Sequence, residues 1–478
     1  DRRNKDIYII KKEDNIVFFD EPTMMMDLEH SPMVPYLCEF YRNLPSQTIL
    51  SSATLSDIET MPSLRTYAIS KYPEISFRTI NYSKVVIGTQ LNKLNGEMFI
   101  PHYHCEDIPS MLRFINIIES NLMYKKFYTI PLVRAMYEKI VELGLNLPTN
   151  LVFDTWMGEL AHRNQVSVQN LGTEYLRFVV GEAEANPEII KKFNSIRKTN
   201  HSINFDDLIS SARVLLGQTF ISHPDPEALI ETKFGSHFRN VMTKIGSKNF
   251  EDLYDRYNKQ VIQQEKKAQS MAKAKPTKGD GKISRLERER TAAADPTTIN
   301  IGIPSQDMLR TGGTTVTIGS AKWDEIVACD FLKIAALFGV FVYSENSHHT
   351  YHDFATEIIS RGSAIYVFAD STLNYGNSFP FNNGIITDEM ATHSDKTLLQ
   401  LMARAGRPGV SHTAIIYAGD AILANINDSI YNTSHVDLER TNLKLTVQLA
   451  IQGDINEEQR LDEEARLRDQ RVSEQARL

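Results

Sequence analysis

Continuous apolar runs alternate with helical patterns near the start of the chain. Apolar runs lie at 6–10, 15–21 and 47–55, and a helical pattern lies at 33–44. Buried parallel strands appear in sequence as continuous apolar runs, whereas strands with one solvated face alternate apolar and polar residues. The pattern therefore predicts part of a parallel α/β sheet in the first hundred residues.

A second block with the same alternation lies towards the end of the chain. Its apolar runs are at 314–320, 340–345, 363–372 and 413–419, and helical patterns separate them. Repeated strand, helix, strand order is typical of a doubly wound parallel sheet. We therefore predict a second α/β domain over residues 298–425.

Other patterns fill the remaining sequence. The run 83–104 predicts a hairpin around a polar turn, and 105–258 has a helical period that predicts a mostly helical insertion. Residues 259–290 hold ten Lys/Arg and four Asp/Glu, which predicts a basic flexible linker reaching to 297; contact with phosphates is the alternative. The charged segment 426–478 predicts an exposed helical tail or docking arm.

Composition excludes several classes of protein. The 478 residues include 52 Lys+Arg and 60 Asp+Glu, so the net charge of −8 excludes a wholly basic nucleic-acid binder but not a local basic channel. Three cysteines that lie far apart in sequence exclude a disulfide-built scaffold and favour a reducing compartment. The sequence has no apolar run long enough to cross a membrane, so we expect an intracellular protein without membrane contact.

Two carboxylates follow the apolar run Ile16–Phe19. Asp20 and Glu21 stand where this predicted strand ends, and parallel sheets bind ligands at the carboxyl ends of their strands. In phosphate chemistry one carboxylate holds Mg²⁺ and a second orients and deprotonates the attacking water. Taken alone, the pair has an alternative interpretation, which is the start of an ordinary turn.

Hydroxyl side chains end the next apolar run in the same way. Ser52 and Thr54 follow the strand pattern at 47–51. Such hydroxyls can bond to carboxylates on the neighbouring strand, or they can cap the next helix.

Arginines mark a third motif, near the end of the second block. Gln400 is followed by Arg404 and Arg407, which lie on one face if the segment is helical. Paired guanidinium groups suit the charge of a γ-phosphate. The alternative is an ion-paired surface helix.

The order of these motifs resembles a known family. FFDEPT, SSATL, ADSTLNYGNSFP and QLMARAGRPG occur in the order of motifs II, III, V and VI of superfamily 2 helicases. The nearest resemblance is to the DExH group of Ski-type helicases, which work with the RNA exosome. It covers about residues 6–60 and 312–420.

The resemblance implies two RecA-like lobes, the first incomplete, with ATP between them and single-stranded nucleic acid across both. RNA is favoured over DNA. Asp20 would be the Mg²⁺ carboxylate and Glu21 the general base. Of the remaining motif residues, Ser52 and Thr54 would couple the nucleotide to strand movement, Gly376 would approach the nucleotide, and Gln400, Arg404 and Arg407 would face the phosphates.

The same resemblance implies a division of the chain into domains. Residues 1–104 would be the C-terminal part of the first lobe with the hairpin, and 298–425 the second lobe. Between them lie the insertion (105–258) and the linker (259–297). The insertion and the tail (426–478) are the expected surfaces for protein partners.

The sequence also departs from the family pattern. The departing positions are Thr23, Asp370, Ser378 and Ala403. No GxxxxGK[ST] phosphate loop occurs, and in this family that loop lies upstream of motif II. Since the chain begins at Asp1, we interpret it as the C-terminal portion of a longer protein.

Two functions follow as expectations. The first is an ATP-dependent helicase or translocase, which is favoured because Asp20, Glu21, Arg404 and Arg407 occur together. The alternative is a catalytically inactive, helicase-derived structural or interaction subunit of a large assembly, which the departures favour.

Overall fold

A computed structural model of the chain describes residues 15–52, 58–80, 87–120, 122–196, 215, 217–246, 248–255, 259, 323–375, 378–406, 413–432 and 437–475. The chain divides into two compact units. Unit 1 comprises Asp1–Ser83, Thr392–Gln400 and Tyr431–Leu478, and unit 2 comprises Lys84–Ala391 and Leu401–Ile430. Unit 2 thus begins at residue 84, whereas the predicted first boundary lay at 104.

Unit 1 contains a parallel pair of strands. In its described part, β1 (Ile16–Asp20) pairs with β2 (Gln47–Ser51), and α1 (Val34–Asn43) forms the crossover between them. Phe19 packs against Phe40 of α1, with ring centroids 4.2 Å apart. The alternate residues Ile16 and Phe18 are 68% and 63% exposed. One face of the pair is therefore covered and the other carries exposed apolar side chains.

The core of unit 1 combines segments from both ends of the sequence. Helix α2 (Pro62–Lys71) joins α1, and the C-terminal helix, α14 (Leu438–Gln475), packs on both. The buried side chains of this core are Met26, Val34, Leu37, Tyr41, Met61, Leu64, Tyr67, Leu443, Val447 and Ala450.

Helix α14 has two different halves. Its first half supplies three core residues and ends in an ionic contact. Asp454 accepts hydrogen bonds from Tyr67 Oη (2.7 Å) and Arg42 Nε (3.0 Å) and pairs with Lys71 Nζ (3.1 Å). Residues 455–469 are exposed on every side. The prediction of an exposed helical tail is confirmed for this second half, whereas the first half is part of the core.

Unit 2 is built on a parallel sheet. Its six strands lie in the order β3, β8, β7, β4, β6, β5, and all neighbours are parallel. The strands are β3 (Gly88–Lys93), β4 (Thr219–Ser222), β5 (Val340–Tyr343), β6 (Tyr366–Ala369), β7 (Asn383–Ile386) and β8 (Thr413–Ala418). Every residue of β4 to β7 is buried, as expected for a parallel sheet covered on both faces. The α/β class with a parallel sheet is confirmed.

Three of the predicted strand runs match β5, β6 and β8, while the run at 314–320 lies outside the described residues. The segment 105–258, predicted to be mostly helical, also contains a strand that the sequence pattern did not show. Thr219–Ser222 is a central strand, and its four residues are too few to show a period in sequence. The other described elements of this segment are helices, which lie between Ile108 and Asn194 and again over Pro226–Ile245.

The hairpin predicted at 83–104 is partly formed. Lys93 N–H donates to Glu97 O (2.7 Å) and Phe99 N–H to Leu91 O (2.9 Å) across the turn. The first arm is β3, which pairs with β8 along its whole length. The second arm has a single antiparallel bridge, Asn92 to Met98.

The remaining described helices belong to unit 2, except that the first six residues of α12 and the last residue of α13, Tyr431, lie in unit 1. They are α3 (Ile108–Ser120), α4 (Leu122–Lys125), α5 (Ile130–Glu142), α6 (Phe153–Gly158), α7 (Gln165–Ala183), α8 (Glu188–Asn194), α9 (Pro226–Ile245), α10 (Asp330–Leu337), α11 (His349–Ser360), α12 (Asp395–Met402) and α13 (Asp420–Tyr431). None of the described helices combines the length and the apolar character that crossing a lipid bilayer demands.

We expect Asp454→Asn to weaken the docking of α14. Burial alone would raise the pKa of Asp454. The hydrogen bonds from Tyr67, Arg42 and Lys71 lower this pKa by more than burial raises it, so the net shift is downward. The carboxylate therefore stabilises the fold above its unfolded pKa of about 4, and this stabilisation is lost as the pH falls through the lower, folded value.

Losing the charged hydrogen bonds should cost about 2 kcal/mol, which corresponds to about 30-fold faster amide exchange over residues 443–454 at pH 7. Hydrogen-exchange mass spectrometry measures this directly. Glu458→Gln, on the exposed half of the same helix, is the matched control and should leave exchange unchanged. Equal exchange in the two variants would contradict the assignment.

The glycine in β7 leaves no room for a side chain. A Cβ at Gly384 would lie 2.2 Å from Phe220 Cζ and 2.8 Å from Ile416 Cδ1. Gly384→Ala should lower the free energy of unfolding of unit 2 by about 2 kcal/mol. Urea titration of tryptophan fluorescence reports this, because both Trp156 and Trp323 belong to unit 2.

Gly181→Ala is the control for this experiment. Gly181 lies in α7, and a Cβ there would meet no atom within 4 Å. Because alanine favours helix over glycine by about 1 kcal/mol, this variant should be at least as stable as the original protein. Destabilisation of similar size in both variants would argue against a steric cause at Gly384.

Candidate functional site

The ends of β1 and β2 lie at one edge of the strand pair. Asp20 is the last residue of β1 and is in register with Ser51, the last residue of β2. Glu21 N–H continues this contact by donating to Ser51 O (2.7 Å). Asp20 is exposed and Glu21 is half-buried. The parallel pairing thus brings the two predicted polar motifs together.

The backbone after β1 has an unusual conformation. Glu21 has φ of +55° and Met25 has φ of +57°, in the left-handed region that few residues other than glycine adopt. Two backbone hydrogen bonds span this turn: Met24 N–H donates to Glu21 O (3.1 Å), and Met26 N–H donates to Thr23 O (3.0 Å). Strained backbone of this kind costs on the order of 1–3 kcal/mol per residue and concentrates at functional sites. We refer to residues 21–31 as the Glu21 loop.

The Glu21 carboxylate is held at both oxygens. Ser52 Oγ donates to Glu21 Oε2 (2.9 Å), and Gln400 Nε2 donates to Glu21 Oε1 (3.2 Å). Gln400 is 5% exposed, so its amide has little freedom to turn away. Rotation of the Glu21 side chain would break both bonds. The carboxylate therefore has a fixed direction.

A third hydroxyl extends this network. Thr23 Oγ1 lies 2.7 Å from Ser52 Oγ. Because the single hydroxyl proton of Ser52 is directed to Glu21, Thr23 donates to Ser52. Thr23 departs from the family pattern in sequence, and in the structure its hydroxyl orients Ser52 towards the carboxylate.

The network leaves capacity for a further ligand. A carboxylate offers about four lone-pair positions, and the two described donors occupy two of them. Glu21 can therefore accept a hydrogen bond from a water molecule while Ser52 and Gln400 hold it. This arrangement is suited to a general base.

Other predicted site residues lie elsewhere. Arg404 is half-buried in unit 2, and its guanidinium donates to the backbone oxygen of Asn374. Thr54, Gly376 and Arg407 lie outside the described residues. The structure therefore joins Glu21, Ser52 and Gln400 in unit 1, with Asp20 at the same edge.

Asp370, the departure in the motif V segment ADSTLNYGNSFP, forms its hydrogen bonds within unit 2. Its Oδ2 accepts from Ser344 Oγ (2.5 Å), and its Oδ1 accepts from the backbone N–H of Thr372 (2.9 Å). The carboxylate caps the short helical turn that follows β6.

The donor set at this edge is compatible with Mg²⁺. This ion takes one or two protein carboxylates and completes its shell with water and substrate phosphates. Asp20 offers one exposed carboxylate. Over the ranges that the structure describes, no group of three or more His, Cys, Asp or Glu residues is placed to hold a metal. Binding through Asp20 would thus depend on a phosphate ligand.

Sequence reasoning missed two participants at the Glu21 loop. Asp27 is a single carboxylate after a run of three methionines, and Asn442 lies on a helix more than four hundred residues further along the chain. Asp27 belongs to the Glu21 loop, and Asn442 donates hydrogen bonds to its backbone. The signal for Asp27 in the sequence is a carboxylate placed between Met26 and Leu28. No local pattern marks Asn442.

A scan against protein-family models finds no family that matches the chain, and a search of curated proteins finds no similar sequence. Functional assignment therefore depends on the residues and their geometry.

We expect the Thr23–Ser52–Glu21 chain to behave as one unit. Ser52→Ala removes a donor to Glu21 and an acceptor for Thr23, which should destabilise unit 1 by about 1–2 kcal/mol. Thr23→Val should then cost less in the Ser52→Ala background than it costs alone, because the hydrogen bond between Thr23 and Ser52 is already lost. The urea dependence of amide exchange over residues 15–31 measures each variant, and strictly additive effects would contradict the chain.

Proposed function

We propose that the protein is an ATP-dependent nucleic-acid helicase or translocase of the superfamily 2 type, with RNA favoured over DNA. The sheets of units 1 and 2 would then be the RecA-like lobes. One observation carries this proposal: the Glu21 carboxylate accepts hydrogen bonds from Ser52 (2.9 Å) and Gln400 (3.2 Å), residues of two other motifs. The resemblance assigns Glu21, Ser52 and Gln400 to motifs II, III and VI and gives all three a role at the same nucleotide.

Glu21 has the role of general base in this proposal. Its oxygens take the proton of a water molecule as the water oxygen attacks the γ-phosphorus of ATP and the bond to the ADP oxygen breaks. Ser52 and Gln400 keep the carboxylate directed to that water. Because they contact opposite oxygens, a shift of either residue would turn the base.

The remaining residues have supporting roles. Asp20 would hold Mg²⁺, which neutralises phosphate charge when bound. Arg404 and Arg407 would supply positive charge to the phosphates, Thr54 would act with Ser52, and Gly376 would approach the nucleotide. The proposal also requires a phosphate-binding loop, a motif that the sequence analysis does not find in this chain.

A second candidate function is a helicase-derived structural or interaction subunit without turnover. The hydrogen-bonded position of Asp370 favours this second candidate. This carboxylate stands where the resemblance expects threonine, and its hydrogen bonds to Ser344 and Thr372 keep it in place at the carboxyl end of β6. A fixed negative charge there would repel a nucleic-acid phosphate.

ATP turnover by the intact protein, with and without single-stranded RNA or DNA, tests the proposal. Glu21→Gln should lower kcat by about 10²–10⁴-fold, because the amide cannot accept the proton. Glu29→Gln is the matched control, since Glu29 is exposed on the same loop. Turnover that is absent, or equal in the original protein and Glu21→Gln, would reject the enzyme and favour the structural subunit.

A further inference from the structure

The Glu21 loop is held by α12 at two points. Gln400 contacts Glu21 at the start of the loop, and Thr397 Oγ1 donates to Asp27 Oδ2 (2.7 Å) further along. Thr397 and Gln400 are three residues apart, so they lie on the same face of the helix. One helix face thus contacts both the proposed base and a second carboxylate six residues later.

Asp27 is a buried carboxylate. It is 7% exposed, and the backbone N–H of Ser394 also donates to its Oδ2 (3.3 Å). Burying a charged group is unfavourable unless fixed donors compensate for the lost water. Ser394 and Thr397, at the start of α12, supply these donors. The buried position of Asp27 therefore depends on that helix.

Helix α14 holds the same part of the loop through its backbone. The side-chain amide of Asn442 donates to Met26 O and to Leu28 O, both at 2.8 Å. These two carbonyls flank Asp27. Asn442 is 6% exposed and Met26 is fully buried, so water cannot readily replace the amide. Residues 26–28 are thus fixed by one helix through a side chain and by another through the main chain.

An ion pair fixes the two helices to each other. Lys396 Nζ of α12 lies 2.7 Å from Asp437 Oδ2, just before α14, and 3.3 Å from Glu439 Oε1 within it. Burial lowers the pKa of Lys396, but the charges of Glu439 and Asp437 more than offset this and raise it. The lysine is therefore charged at neutral pH, and α12 and α14 contact the loop as one support.

We infer that Asp27, Thr397 and Asn442 are positioning residues that hold the Glu21 loop and so present Glu21 to Ser52 and Gln400. The left-handed conformations of Glu21 and Met25 are unfavourable alone, and the contacts at 26–28 lie immediately after them. The contacts to both supporting helices keep the loop in this conformation. The catalytic aspect of this inference rests on the proposed function, while the ordering of the loop does not.

Four variants test the inference in the full chain. Asn442→Asp keeps the side-chain shape but removes both donated hydrogen bonds, and Thr397→Val removes the hydroxyl. Thr397→Ser restores the hydroxyl at the second position. Asn456→Asp makes the same chemical change as Asn442→Asp on the exposed half of α14, away from the loop.

Hydrogen-exchange mass spectrometry gives the first readout. Exchange over residues 21–31 should become about tenfold faster or more in Asn442→Asp and Thr397→Val, and should stay within about twofold in Thr397→Ser and Asn456→Asp. Thr397→Val is the milder change and decides the matter if Asn442→Asp fails to fold. Unchanged loop exchange in the folded variants would overturn the inference.

ATP turnover gives the second readout. Misplacing a base should lower kcat about tenfold and leave KM within about twofold, with Thr397→Ser restoring kcat. Faster loop exchange without a fall in kcat would overturn the positioning role. If the original protein has no turnover, the proposed function fails, and exchange alone then decides whether the three residues order the loop.

Discussion

The parallel pairing of β1 with β2 is the constraint on which the candidate site depends. Parallel neighbours end at the same edge, so Asp20, Glu21 and Ser52 meet there although a complete helix separates them in sequence. An antiparallel pair would place Ser52 at the opposite end from Glu21. Direction of pairing, more than any single contact, makes the hydrogen bond between these two residues possible.

The sequence predicted the parts of the fold that have long apolar runs. The strands β5 and β6 are fully buried and β8 is buried over most of its length, so their apolar runs are continuous and easily recognised. β4 was missed because it has four residues in a region of helical period. β7 was missed as well: its Asn383 and Gly384 break the apolar pattern, and Gly384 is required by close packing against Phe220.

The candidate site was predicted to a similar extent. Glu21, Ser52 and Gln400 belong to motifs with recognisable order, and they lie together in unit 1. Asn442 belongs to no such motif, since its role depends on where α14 packs and not on its neighbours in sequence. Contacts of this kind arise from tertiary packing, which a single sequence does not encode in any local pattern.

The interleaved order of the two units has a consequence for synthesis on the ribosome. Leu443, Val447 and Ala450 belong to the core around α1, so unit 1 cannot complete its core until residue 450 has been translated. The sheet of unit 2 has a similar requirement. Leu91 of β3 pairs with Ile416 of β8, so β3 cannot pair with β8 until that distant strand has been translated. Such distant pairings slow folding, since long loops must close before the contacts form. The apolar segments of α1 and β3 therefore stay without these partners while more than three hundred residues are translated, which is the period in which a chaperone would contribute most to the yield.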